Sequence, residues 1–474
     1  MSETASTQKM NPFAKGIMEQ KYSHETDDGP ETWEQIAKRV ATNVLKAVGA
    51  PKALVKETEA AIASRKFMPG GRYLYATGRP FHQTQNCLLL RATDSREGWA
   101  DVMHKATMAL MTGAGIGIDY SDVRAEGKPI RKTGGFSTGP LALMQMVNEA
   151  GRGIMQGGSR RAAIWAGLNW NHPDIHKFIA MKNWSQDVRA MKEKDFNFPA
   201  TMDGTNISVG LDDAFFRAFD DEKHKDHSLA SGVYWAVVRQ MLKTAEPGFS
   251  VNVGASRKET LRNACTEITS EDDSDICNLG SINMAQVESL EEMKRLVEIG
   301  TAFLLAGTVY SDVPYPEVDK VRTKNRRLGL GLMGLHEWLL KRGKKYGPDE
   351  ELEKYLRVYE TSTEIAAKYA QEWSLSPPIK TRAIAPTGTI GIVAETTTGI
   401  EPIFCVAYKR RYLKGDVTHY QYVVDPCAQR LIDGGVHPDS IEDAYVLAED
   451  VERRVSFQAW VQQYVDHAIS STIN

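Results

Sequence analysis

From Asn86 onward, short apolar runs alternate with longer amphipathic segments, a rhythm that restricts the chain to strand–helix units packed in layers. The run Gly113-Ala114-Gly115-Ile116-Gly117-Ile118-Asp119 predicts a strand whose missing side chains let a ligand or another backbone approach closely. Further strands are expected at 206–210 and 328–332, and a helix at 141–155 running into a flexible basic loop at 156–161. Upstream, residues 32–64 place apolar side chains at helical spacing, as in Trp33, Ile36, Ala37 and Val40, which predicts a short helical entry region. The expected division is a tail and helical region over 1–66 and one α/β domain over 67–474, a length that can bury a large core.

The formal net charge of −3 gives no reason to expect nucleic acid or an anionic membrane as partner, so local basic residues must supply any phosphate binding. The amino terminus has neither a basic start nor an apolar stretch, and no run is long enough to span a bilayer, which leads to the expectation of a soluble, cytoplasmic protein. Five cysteines at irregular spacing, without a Cys-x-x-Cys pair, make neither a secreted disulfide framework nor a structural zinc site, and no metal site is expected. Cys405 and Cys427 read as ordinary small residues.

The chemistry concentrates in Asn263-Ala264-Cys265-Thr266-Glu267. In an extended segment these alternate positions share a face, so an amide, a thiol and a carboxylate can meet one bound molecule. No histidine stands near Cys265 to make a thiolate. Glu267 would instead hold the thiol neutral, which suits hydrogen-atom transfer better than nucleophilic attack. A small buried cysteine in a polar loop is the plain alternative. Cys277 follows in Ile276-Cys277-Asn278-Leu279-Gly280, and Cys87 lies upstream in Gln85-Asn86-Cys87-Leu88. Three such cysteines could supply one radical-bearing thiol and two that deliver two electrons as a disulfide.

On these motifs the chain resembles the catalytic subunits of ribonucleotide reductases from about Met68 to its last residue. The resemblance implies a ten-stranded α/β barrel with the Cys265 loop threaded into its centre. It makes Cys265 the thiyl-radical cysteine, Cys87 and Cys277 the reducing pair, and Asn263 and Glu267 the contacts to the ribose hydroxyls, with Glu267 as general base. Asn86 and Gly115 become substrate contacts, and Pro386, Thr387, Gly388, Thr389 and Ile390 the phosphate-binding segment. That segment has hydroxyls and small residues before a helical turn but lacks the Walker A ending. Asp94, Arg124 and Arg131 are the implied contacts of a dNTP or ATP effector, bound with Mg2+, and Gln156 and Arg160 lie in the loop that passes effector identity to the active site.

The implied partners are a ribonucleotide, a second copy in a homodimer, and thioredoxin or glutaredoxin as external dithiol. The radical source is a dimetal centre in a separate ferritin-like subunit, slightly favoured, or adenosylcobalamin. The resemblance also implies that there is no room for an N-terminal ATP cone. A glycyl-radical enzyme is the rival class, but no Arg-Val-x-Gly-Tyr-like segment is found. A silent nucleotide-binding regulatory subunit is the other, against which the three cysteines, Asn263 and Glu267 argue.

Overall fold

The computed structural model describes residues 10–156, 160–414 and 417–473. The chain divides into two compact units, one of Met1–Gln85, Asn278–Asp312 and Thr323–Asn474, the other of Asn86–Cys277 and Val313–Arg322. Eight strands organise them: β1 (Phe67–Pro69), β2 (Cys87–Arg91), β3 (Gly115–Asp119), β4 (Ile164–Asn169), β5 (Thr205–Asp212), β6 (Gly248–Asn252), β7 (Asp275–Asn283) and β8 (Leu328–Met333). The α/β class expected from the sequence is the one observed, with helices leading the chain.

In the first unit the helical entry region forms two helices, Trp33–Lys46 and Lys52–Ala63, behind a shorter one at Pro12–Lys21. Thr32 starts the longest of them through a capping box in which its hydroxyl accepts from the Gln35 N–H and the Gln35 side chain accepts from the Thr32 N–H. Trp33, Ile36, Ala37, Val40, Ala41, Val44 and Leu45 form its buried stripe, which joins a core with Leu296 and Phe303 of the helix Leu290–Tyr310. The last six residues of β7 run parallel to β8 and, in part, antiparallel to β1. Beyond β8, Leu330 bridges Arg382 in parallel, and this extended segment delivers the chain to Pro386 and the short helix Gly388–Ala394.

The second unit is a sheet in the spatial order β6-β5-β4-β3-β2, all parallel, with the first three residues of β7 antiparallel to β2. Leu88, Leu89 and Leu90 are fully buried, as central parallel strands covered on both faces require. The strand expected at 113–119 begins only at Gly115, because Gly113 adopts φ 94° as the left-handed cap of the helix Arg96–Thr112. The helix expected at 141–155 is Pro140–Arg152, and the backbone of Met155–Gln156 then pairs with Arg160–Arg161. One element of the first unit had no counterpart in the sequence reading, an exposed hairpin of Ala407–Lys414 and Val417–Val424.

After β6 the chain makes a finger, with a neck in which Leu261–Arg262 pairs antiparallel with Thr269–Ser270. The finger lies along β3. The Thr260 hydroxyl donates to Asp119 at the carboxyl end of that strand (2.8 Å), and Ala264 sits at its amino end, 3.2 Å from where a side chain on Gly115 would begin. Midway, the Arg262 carbonyl oxygen lies 1.9 Å from the position of a Cβ on Gly117. The bare glycine is therefore occupied by another backbone, one of the two uses the sequence allowed. Gly117→Ala is expected to destabilise the protein by about 2–3 kcal/mol, because neither backbone can yield cheaply. Gly232→Ala, in an open position on the helix His227–Thr244, should be neutral or stabilising by up to about 1 kcal/mol; urea unfolding of the two variants checks the contrast.

Candidate active site

The tip of the finger is not extended. Thr266 takes φ 71° and its N–H donates to the Asn263 carbonyl at 3.0 Å, so the five residues close a tight turn. Alternation along a strand therefore does not gather the amide, thiol and carboxylate; the turn does. The Asn263 side chain holds it, accepting from the Ile268 N–H at 3.0 Å and donating to Glu267 Oε1 at 2.9 Å. These bonds offset the strain of a left-handed non-glycine residue.

Around this tip the second unit brings together all five residues singled out for catalysis. Cys87, the first residue of β2, lies directly opposite Cys277 across the antiparallel ladder. Opposed residues in such a ladder have Cα atoms about 4.5–5.5 Å apart on one face, which is within the range a disulfide spans. Both are buried. The Asn263 side chain hydrogen-bonds the Cys87 thiol, and Glu267 and Cys265 are close enough to act on it electrostatically. Asn86 donates its N–H to the Cys277 carbonyl at 3.2 Å and accepts from the Gly115 N–H at 2.8 Å, which locks the first residues of β2, β3 and this part of β7 together.

Desolvation governs the charges. Glu267 is fully buried, its Oε2 meets no hydrogen-bond partner among the described residues, and burial pushes its carboxyl up to about 7, against the lowering pull of its own N–H, Asn263 and the Arg262 guanidinium. The Cys265 residue reaches solvent at the tip, yet protein crowds its thiol; that desolvation, then Glu267, raises it to about 12. Cys87 is driven well above the ordinary thiol range by burial first and then by Glu267, Cys277 and Cys265. All three groups favour their neutral forms near neutral pH or straddle it, and the orphaned Glu267 oxygen is an acceptor awaiting a hydroxyl.

Arg262, which the sequence reading passed over, is buried at the neck, 3% exposed. Its Nη2 donates to the Val251 carbonyl and the Asn252 side chain of β6. A charged residue next to Asn263 was the only sequence signal for it.

The other residues named from the sequence fall in several places. In the second unit Arg124 Nε donates to both carboxylate oxygens of Asp94, at 2.9 and 2.8 Å, while Arg131 stands exposed on the following turn. Gln156 and Arg160 pair through their backbones, and their side chains lie outside the described residues. In the first unit, Pro386 and Gly388 line a cavity of about 820 Å3 together with Thr398, Glu401, Phe404 and Tyr408. The Thr387 hydroxyl is used internally, accepting from the Gly399 N–H at 2.8 Å. It thus ties the segment to Thr398-Gly399-Ile400 with its oxygen, while its own O–H is left to donate. Thr389 is partly buried and Ile390 buried.

Comparison with known proteins gives the family. Residues 9–82 match the ribonucleotide reductase all-alpha domain, and residues 85–244, 236–374 and 380–474 match the ribonucleotide reductase barrel domain. The protein is thus a mixed α/β chain with an all-alpha amino-terminal domain, and it belongs to the ribonucleotide reductase large-subunit family. It is 26% identical, over 98% of its own length and 67% of the relative's, to the vitamin B12-dependent ribonucleoside-diphosphate reductase of Thermoplasma acidophilum. It is 27% identical, over 86% of its length and 66% of the relative's, to the enzyme of that name from Mycobacterium tuberculosis. Against the ribonucleoside-diphosphate reductase large subunit of Plasmodium falciparum it is 26% identical over 71% of its length and 47% of the relative's. The chain spans about two thirds of the B12-dependent relatives and under half of the last. Among the described residues no helix is long and apolar enough to cross a membrane.

The raised Glu267 carboxyl has a consequence for stability. The unfolded chain loses this proton near pH 4.5 and the folded chain near pH 7, so stability falls as pH rises through that window and the penalty is complete above it. Relative to wild type, Glu267→Gln should therefore gain about 2 kcal/mol more in denaturant unfolding at pH 8 than at pH 5. The cross-strand register carries a second expectation. Mild oxidation should join Cys87 to Cys277, visible as one linked peptide pair by mass spectrometry and lost in Cys277→Ser.

Proposed function

We propose that this chain is the catalytic subunit of a ribonucleotide reductase that converts ribonucleotides, diphosphates above triphosphates, to 2′-deoxyribonucleotides. The observation that carries the reading is the gathering of three thiols, those of Cys87 and Cys265 held neutral by burial, around one buried carboxylate with an unpartnered oxygen among the described residues. Family membership supports it, as do relatives whose names specify diphosphate reduction.

In this reading Cys265, oxidised to a thiyl radical, removes the 3′-hydrogen of the ribose. Glu267 accepts the 3′-hydroxyl proton through Oε2, Asn263 holds the carboxylate by Oε1, and the 2′-hydroxyl leaves as water on a proton from one thiol of the Cys87 and Cys277 pair. Cys87 and Cys277 then give two electrons and their remaining proton and close as a disulfide, Cys265 returns the 3′-hydrogen and Glu267 the 3′-hydroxyl proton, and thioredoxin or glutaredoxin reopens the disulfide. A carboxyl near 7 suits Glu267 to exchange a proton in both directions at neutral pH. Asn86, Gly115 and the segment Pro386–Thr387–Gly388–Thr389–Ile390 bind substrate, the latter through backbone N–H groups and the Thr387 hydroxyl, whose oxygen is fixed by the Gly399 N–H and whose O–H can donate.

Asp94, Arg124 and Arg131 take a dNTP or ATP effector with Mg2+. Its phosphates compete with Asp94 for the Arg124 fork, and Gln156 and Arg160 relay which base is bound. The assembled protein is a cytoplasmic homodimer built on the family's ten-stranded barrel. The oxidising equivalent comes from a dimetal centre on a ferritin-like subunit or from adenosylcobalamin, and relatives named for the second are among those found. Wild type should form deoxynucleotide with one of these two generators and Cys265→Ala with neither, a loss of at least about 10^4-fold. Equal product from Cys265→Ala and wild type would remove the radical-thiol reading.

A further inference from the structure

Arg262 is a cation where few are placed. It lies at the neck of the finger, directly across the ladder from Thr269 and one residue before Asn263. One nitrogen, Nη2, is anchored on β6 through Val251 and Asn252; Nε and Nη1 are buried with no hydrogen-bond partner among the described residues. An apolar side chain would fill such a place without leaving two donors stranded. What the guanidinium has instead is two carboxylates within electrostatic reach, Glu259 and Glu267. Glu259 already accepts the Thr269 hydroxyl at the neck, at 2.6 Å. Glu267 has one oxygen on Asn263 and the other on nothing. Toward Glu267 the titratable groups are Arg262, Cys265 and Cys87, and only Arg262 carries positive charge. Burial brings the guanidinium down to about 10, so it stays charged at neutral pH.

We propose that Arg262 is a positioning residue for the reduction: fixed to β6 at the neck of the finger, it supplies the countercharge that keeps the Glu267 carboxylate ionised at the tip. This rests on the reading of Glu267 as general base. Arg262 touches no substrate in this account. It acts through the ionisation of Glu267, and its fixed anchor keeps the field constant while the tip turns over. The two stranded nitrogens are the cost of placing a full charge where its role is its field rather than its hydrogen bonds.

The test is a pH profile of kcat for the full chain, assayed with whichever radical generator supports turnover, in wild type, Arg262→Met, Arg262→Lys and Glu267→Gln. Without the countercharge the carboxyl takes its proton at higher pH. The acid limb of Arg262→Met should move up by about one unit from its place near 7, a roughly fivefold loss at pH 7 that all but closes by pH 9. Arg262→Lys, which keeps the charge and loses the fork, should hold the limb close to wild type. The same shift should appear without turnover, as persistence to higher pH of the protonated-carboxyl infrared band that Glu267→Gln removes.

A loss in Arg262→Met that is equal at every pH, with limb and band unmoved, overturns the proposal while leaving Glu267 as base, provided Glu267→Gln is inactive. Full turnover by Glu267→Gln overturns the base and the proposal together. Should Arg262→Met fail to fold, Arg262→Lys decides, since a limb displaced upward by a unit in a variant that keeps its charge contradicts a countercharge role.

Discussion

The finger can run along β3 only because Gly117 has no side chain. Its Cβ position lies 1.9 Å from the Arg262 carbonyl oxygen, a separation that no carbon and oxygen can share without a bond between them. Everything catalytic follows from that passage. The neck settles against the strand, the turn at Thr266 falls beyond its amino end, and Asn263, Cys265 and Glu267 arrive beside the first residue of β2. A methyl group at 117 would displace the finger before it disturbed any thiol.

Once the finger is inside, solvent exclusion sets the chemistry. Buried carboxylates and thiols both resist ionisation, and each negative charge raises its neighbours further. Glu267 therefore discourages thiolate at Cys265 and at Cys87. A hydrolytic cysteine would be disabled by this arrangement, since its nucleophile is the thiolate. A thiol that must keep its hydrogen until a radical takes it is protected by the same field. The environment thus disfavours nucleophilic sulfur chemistry without any change in the residue.

The parts of this architecture legible in the sequence are those with a period. The strands at 205–212 and 328–333 and the helices between Thr32 and Ser64 announce themselves by apolar runs or helical spacing. The turn at the finger tip has no period, and an i→i+3 bond from Thr266 to Asn263 replaced the extended segment that alternation suggested. The hairpin at 407–424 carries Tyr, Lys and Arg, with residues exposed on both faces, and a strand without a buried face leaves no apolar alternation to read. Cys87 and Cys277 lie far apart in the chain, and only the antiparallel register of β2 with β7 makes them neighbours. Their pairing was suggested by family resemblance, because spacing carries no information about register between distant strands. Arg262 escaped notice for the same reason: its anchor on β6 is tertiary.

In open parallel sheets, ligands usually bind outside the carboxyl ends of the strands. At those ends the second unit has a polar cavity of about 140 Å3, lined by Asp119, Asn169, Asn252 and Thr260, smaller than the roughly 300 Å3 at which small-molecule pockets begin. The finger enters there and fills the position a ligand would take. It travels the length of β3, about 13 Å at the usual strand rise, and presents its thiol at the amino end, where Cys87 begins β2. A mobile surface loop could reach a substrate with less construction, but it could not exclude water from Glu267. The buried route is what allows one carboxylate to remain uncommitted near neutral pH while the thiols around it stay protonated.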